Sequence, residues 1–387
     1  MTQSFELPVD KRRNVLDPVP ELLELNARAP LFRPPGGMPH WIVTDRETVR
    51  QILADAERFS SMPPPEPDGR KPDPHPGSLL QTDGAEHSRL RRLVAPMFTV
   101  RQMKTLEPMM VRIVAQRLDV LERAGQPADL MRHFARPVSG LILAEILGLP
   151  RDDLPELSRL GDHRASGHSP RRHSATSEYV GHFRKLVAAQ RRDPGDGLAG
   201  MLIREHGDAV SDEEVAGICE SVANGSIENT AETIALGTLA LLCHPEQMTL
   251  LRERPELMDR AVEELLRYVS VVASVSPRTA LEDVEIGGEV IKAGEVVSCS
   301  VFAANRCPYD DGAGDGLDIA REPGNHLALG YGVHFCLGAA LARLQMRVAF
   351  AGLLERFPGL RLGAGVEELR FRLLAPQFGV ETLPVVW

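Results

Sequence analysis

The 387-residue sequence reads as mainly α-helical with a smaller strand-like part. Three observations carry that reading. Residues 102–124 and 128–147 have amphipathic helical spacing, the second stretch ending at Gly148-Leu149-Pro150. Residues 211–243 form one long stretch that Ser211 and Glu214 open as a capping box, and the run after Cys336 is rich in strong helix formers. Strand-like alternation is confined to 283–308, which turns like a hairpin, and to the end of the chain, LLAPQFGVETLPVVW.

The remaining elements follow in order. Trp41 to Val43 is a short apolar run, after which Thr44 or Asp45 caps a helix. Residues 61–77 carry so many prolines that they form neither helix nor central strand. In 83–99, His87 and Arg91 stand at i and i+4 and share a helix face, placed to hold a pair of carboxylates. Residues 160–176 are polar and basic, with His163, Arg164, His168, Arg171, Arg172 and His173, and 191–203 is a turn leading into a helix. In 261–268, Glu264 and Arg267 can pair at i and i+3, a structural role.

Hydrophobic residues at 43% suit a globular core, and no repeat is visible. The net charge of −10 argues against general binding to nucleic acid or to acidic membranes. The first 25 residues hold no apolar segment of signal-peptide or membrane-span character, so a soluble, cytoplasmic protein is expected. Five scattered cysteines, Cys219, Cys243, Cys299, Cys307 and Cys336, fit a reducing compartment.

The chemistry concentrates at 326–350, HLALGYGVHFCLGAALARLQMRVAF. Cys336 sits on a glycine-loosened loop at a helix N-terminus, where dipole and free N–H groups favour a thiolate. Leu337, Leu341, Leu344 and Val348 line one face of the helix that follows. A nucleophile needs a base, which His334 can supply; a redox cysteine wants a C-x-x-C partner, which is missing. Zinc wants three or four clustered ligands, whereas haem needs one axial ligand from the protein. A core cysteine in a capping loop is the plain alternative.

This stretch resembles the haem-ligand signature of the cytochrome P-450 family, aromatic-G-x-G-x-H-x-C-x-G followed by a helix. Here it reads Leu329, Gly330, Gly332, His334, Cys336 and Gly338, with Leu329 in place of the aromatic. The resemblance runs from about Trp41 to Trp387. It implies a single domain over 1–387, mainly α with a smaller β part, with haem b (iron protoporphyrin IX) between a long central helix and the Cys-ligand loop. Cys336 would be the metal ligand, with Gly330 shaping the cofactor loop. His87, Arg91, Arg278 and His334 would neutralise the haem propionates. Segments 61–82 and 160–176 would be the pocket-roof and lid loops. Arg321 would join the Glu264–Arg267 pair, and Cys307 stands where the family often has Asp.

Within the long helix, Gly225-Ser226-Ile227-Glu228-Asn229-Thr230 matches the family's [A/G]-G-x-[D/E]-T-T. There an acid beside a hydroxyl carries protons, through a local kink that opens a groove. Glu228 keeps the acid and Thr230 the second threonine. Asn229 replaces the first threonine and has no hydroxyl proton to relay. Ser221, Asn224, Gly225, Ser274, Val275, Gln377 and Phe378 would face substrate. The resemblance thus implies a monooxygenase or oxidase acting on a small organic substrate in bacterial secondary metabolism, by hydroxylation, epoxidation or oxidative coupling. The basic lid suggests an acidic or carrier-bound substrate. With no flavin or nicotinamide module fused, a ferredoxin and ferredoxin reductase would supply electrons, and Arg89, Arg92, Arg343 and Arg347 are candidate docking residues. A non-catalytic haem protein that stabilises or recruits another enzyme is the alternative from another class.

Overall fold

Asp45 caps its helix as expected, its carboxylate accepting from the Thr48 N–H at 2.7 Å. Gly148 ends another helix at φ +78°, a left-handed backbone that glycine adopts without a Cβ clash. The computed structural model describes residues 13–29, 31–33, 40–65, 73–165, 172–306, 316–372 and 377–387. Its helices are α1 (Pro20–Arg28), α2 (Arg46–Ala54), α3 (Gly84–Val94), α4 (Val100–Arg123), α5 (Arg136–Leu147), α6 (Leu154–Ala165) and α7 (Arg172–Arg192). They continue with α8 (Leu198–His206), α9 (Asp212–Cys243), α10 (Pro245–Glu253), α11 (Met258–Val269), α12 (Val301–Arg306) and α13 (Ala339–Arg356).

The chain divides into two units, each built from two segments: residues up to 73 with 243–336, and 74–242 with 337–387. The first unit contains a five-stranded sheet in the order Leu31–Phe32, His40–Val43, Val296–Cys299, Arg278–Ala280, Phe59–Ser60. His40–Val43 runs parallel to Val296–Cys299 and the other pairings are antiparallel. Trp41, Val43, Val49, Ile52, Phe59, Val297 and Leu327 pack one core. Of the stretch 283–308, expected to turn as a hairpin, only Val284–Ile286 and Glu289–Ile291 do so, through a two-residue turn Gly287-Gly288 with positive φ at both positions. Val296–Cys299 joins the larger sheet instead, and 301–306 is helix α12, its side chains buried all round.

In the same unit Glu264 and Arg267 are fully buried and meet in two bonds of 2.7 Å. Arg267 also donates to the carbonyls of Asn305 and Gly316, and Arg321 Nε lies 3.2 Å from Glu264. A buried ion pair is tolerated only when its remaining donors and acceptors are filled in this way.

The second unit is mainly helical, with α9 as its longest element. Helix α13 packs on α4 so closely that a Cβ on Gly352 would lie 3.0 Å from Val114 and 3.1 Å from Leu118. Three short antiparallel strands, Arg361–Leu362, Pro384–Val386 and Ala128–Asp129, bring the C-terminus onto the start of the 128–147 stretch. That stretch therefore begins as strand and becomes helix only after it.

Residues 160–165 and 172–176 are helical, being the end of α6 and the start of α7, where a loop was expected. Their polar residues lie on helices whose opposite faces bury Leu157, Leu160, Tyr179 and Phe183. His168, Arg171, Cys307 and roof residues 66–72 lie outside the described residues, as do the side chains of Arg172 and His173. No single helix among the described residues is long and apolar enough to cross a membrane.

Candidate active site

The Cys336 loop is shaped by two left-handed glycines, Gly330 at φ +74° and Gly332 at φ +72°. A Cβ on Gly332 would strike the Leu53 carbonyl oxygen, so the loop sits directly on the end of α2. The Cys336 N–H donates to the Leu329 carbonyl at 2.8 Å and the Phe335 N–H to Gly332 at 3.0 Å, which folds the loop back on itself. The Cys336 thiol is left half-buried beside the exposed apolar side chains of Val333 and Phe335.

Among the described residues no three His, Cys, Asp or Glu gather into a metal cage. A metal on Cys336 must therefore bring its other ligands with it, as the iron of haem does. Exposed apolar side chains within three residues of this half-buried thiol fit a flat apolar macrocycle. In the same unit Arg278 is buried and donates to the Ser276 carbonyl at 2.7 Å, and His334 lies in the turn before Cys336. In the other unit His87 is buried on α3, with half-buried Arg91 one turn on.

Helix α9 is buried at 214–220 and 230–241 but opens between them. Asn224 and Gly225 are exposed, and Ser226 to Asn229 are half-buried. The helical assignment runs unbroken through this opening, and side chains bond its carbonyls there. Ser139 of α5 donates to the Ile227 carbonyl at 2.8 Å, Asn229 Nδ2 to Gly225 at 3.0 Å, and Thr233 to Asn229 at 2.7 Å. With its amide nitrogen engaged, Asn229 presents a buried Oδ1 that has no partner. Thr230 is buried beside it.

Glu228 belongs to a cluster that sequence spacing did not reveal. Arg372 donates to Glu228 at 2.9 Å and also contacts Glu232, one turn further along α9. Arg136 of α5 lies 3.6 Å from Glu228, and Asp162 of α6 lies 3.6 Å from Arg372. Glu232 is fully buried and accepts from the Val380 N–H at 3.0 Å. Burial pushes its carboxyl up to about 7 against the opposing pull of Arg372. Arg136, Asp162, Glu232 and Arg372 are each unremarkable in sequence; only i, i+4 spacing from Glu228 could have pointed to Glu232.

The other expected site residues fall as follows. Ser221 Oγ sits between the Leu79 N–H at 3.3 Å and the Gly77 carbonyl at 3.4 Å. Ser274 bridges to Ser300, and Val275 packs against the core of the first unit. Phe378 is buried and stacks on Phe371 with ring centroids 5.4 Å apart, next to half-buried Gln377. Of the arginines considered for docking, Arg89 is paired with Glu86 and Glu214, and Arg347 with Glu107. Glu214 thus serves Arg89, while its N–H takes the Ser211 cap at 3.2 Å.

A half-exposed cysteine on a glycine-built loop and a long helix opened at an acid-amide-hydroxyl sequence define a haem-thiolate oxidoreductase. The sequence profile of the cytochrome P450 family matches residues 157–361. Cytochrome P450 165B3 of Amycolatopsis orientalis is 40% identical, with both chains covered completely. The structure of OxyC, a cytochrome P450 implicated in an oxidative C–C coupling reaction during vancomycin biosynthesis, is 40% identical at a TM-score of 0.88, covering 97% of this chain and 96% of that one. A chain in the complex of the X-domain and OxyB from teicoplanin biosynthesis is 41% identical at a TM-score of 0.87, covering 99% and 100%.

This chain belongs to the cytochrome P450 family. It is a haem b enzyme of the monooxygenase type that oxidises a small organic substrate with externally supplied electrons. The OxyC and OxyB relatives belong to vancomycin and teicoplanin biosynthesis, and a non-catalytic role finds no support in them.

Proposed function

We propose that this enzyme performs oxidative coupling or ring closure on a peptide-like substrate held on a carrier during assembly of an antibiotic. The observation that carries the reading is Asn229. At the position of the family's relay hydroxyl stands an amide whose N–H₂ is engaged by Gly225 and whose Oδ1 can only accept. Coupling removes two hydrogens from the substrate. Dioxygen, two electrons and two protons take them up as two waters, so no oxygen need enter the product. The OxyC relative supports the coupling chemistry, and the X-domain complex supports recruitment to a partner domain of the biosynthetic assembly.

Haem bound at Cys336 supplies the oxidising chemistry, the thiolate's electron donation favouring O–O cleavage. In this reading Cys336 is the iron ligand, and Gly330 and Gly332 hold its loop in shape. His87, Arg91, Arg278 and His334 neutralise the propionates. Asn229 Oδ1 orients a donor, either water or a substrate hydroxyl, in the opened groove of α9. Glu232 holds an exchangeable proton one turn from Glu228, the two sharing Arg372, and buried Thr230 passes it on. Asn224, Gly225, Ser274, Gln377 and Phe378 line the substrate's place. Ser221 acts indirectly, by fixing segment 77–79. A cytoplasmic ferredoxin with its reductase supplies the electrons.

The test is mass spectrometry of products from carrier-bound and free peptides, with ferredoxin, reductase and reduced nicotinamide supplied. A product two hydrogens lighter than the carrier-bound substrate is expected. A product heavier by one oxygen, formed equally from the free peptide, would overturn the reading.

A further inference from the structure

Glu220 lies one turn before Asn224 on α9 and is only 3% exposed. A carboxylate so buried must be matched by donors, and its donors come from three separate places. Arg164, in the last turn of α6, donates to Oε1 at 2.7 Å. Asn224 donates to the same oxygen at 3.2 Å and accepts from Arg164 at 2.9 Å. His75, from segment 73–82, places Nε2 3.0 Å from Oε2. The Arg164 guanidinium also rests 4.2 Å over the ring of Tyr179 on α7.

Segment 75–79 is seated on the same stretch of helix by backbone contact. A Cβ on Gly217 would strike the Pro76 carbonyl oxygen, and a Cβ on Gly77 would strike the α9 backbone at Glu214 and Ile218. Ser221 adds its two bonds to Gly77 and Leu79.

His75 is the arm that can be switched. Its Nδ1 faces the Pro76 carbonyl at 3.1 Å while Nε2 faces Glu220, so both ring nitrogens meet acceptors. A neutral imidazole carries one N–H and can satisfy only one of them; the imidazolium satisfies both.

We propose that Glu220 is a positioning residue whose carboxylate clamps segment 73–82 and the end of α6 onto α9 together, with the proton on His75 closing the first arm. The assignment rests on reading these two segments as roof and lid of the substrate pocket. Among the described residues, the charged and titratable groups around the clamp are His75, Arg164 and Tyr179, with Glu228 acting on Tyr179 from further along α9. The bond to Glu220 holds the His75 imidazole above its usual value, more than burial and Arg164 lower it. Burial raises the Glu220 carboxyl, but His75 and Arg164 together hold it below the usual range, while burial keeps the Tyr179 hydroxyl neutral. The sign follows. The His75 arm is complete below an ordinary imidazole pKa of about 6.5 and is lost as pH rises through the raised folded value.

Hydrogen exchange with peptide-level mass readout tests this on the haem-loaded protein, comparing wild type, His75→Gln and Glu220→Gln at acid and alkaline pH after correction for intrinsic exchange. In wild type, residues 75–82 should exchange about tenfold faster at alkaline pH while 154–164 do not change. His75→Gln should abolish that pH dependence, and Glu220→Gln should speed both segments at both pH values. A haem absorbance band matching wild type confirms that each variant is folded. Unchanged protection of both segments in Glu220→Gln, or a pH dependence of 75–82 that survives His75→Gln, overturns the proposal. No substrate is needed, so the failure of the coupling reaction would be a separate result.

Discussion

The Cys336 loop and the opened middle of α9 reach functional geometry by opposite means. The loop is local. Gly330, Gly332, His334 and Cys336 lie within seven residues, and two backbone bonds fold them over. The α9 site is assembled from distance, with Arg136 and Arg372 converging on Glu228 and Glu232, and Asp162 of a third element pairing with Arg372. A local site is fixed by what the backbone can adopt; an assembled one is fixed by how buried charges are matched. Damage to the first should therefore remove the cofactor, and damage to the second should leave the cofactor and remove proton supply.

The largest expected effect breaks the assembled site. Glu228→Gln should keep its haem yet lower turnover by about 10²–10⁴-fold, the usual worth of a positioned acid–base group. Glu232→Gln sharpens the same point through pH. A raised carboxyl pKa means that the folded state holds a proton which the unfolded chain releases. Wild type should therefore lose stability relative to Glu232→Gln as pH rises from about 4.3 to about 7, and change little beyond. Urea midpoints at pH 5 and pH 8 measure this. Equal turnover in Glu228→Gln would reduce the carboxylate cluster to a structural brace.

A smaller effect tests the local site. Gly332→Ala places a Cβ against Leu53 at a positive φ and should cost about 2–4 kcal/mol of stability. Haem content should fall with it, read as the ratio of haem to protein absorbance. Full haem content and an unchanged melting temperature would show that the loop is not held by its glycines.

The same contrast governs what could be read in advance. The helices 100–123, 212–243 and 339–356 were legible because propensity, caps and apolar spacing agree there. The Cys336 loop was legible because its residues are contiguous. Glu228 was recognised, but its partners were not, since an isolated Arg372 or Arg136 carries no spacing signal. The 160–176 stretch read as a loop because its exposed faces are polar, although buried Leu160 and Tyr179 make it helical on the other side. The bonds of Ser221 to segment 77–79, and of Asn224 to Arg164 and Glu220, join residues far apart in sequence and carry no spacing signal.

The most direct measurement is the absorbance spectrum of the reduced protein with carbon monoxide, for wild type, Cys336→Ala and Glu228→Gln. Wild type and Glu228→Gln should both show the red-shifted Soret band of thiolate-ligated haem, and Cys336→Ala should lack it. Retention of that band in Cys336→Ala, or its loss in Glu228→Gln, would contradict the division between a local ligand site and an assembled proton site.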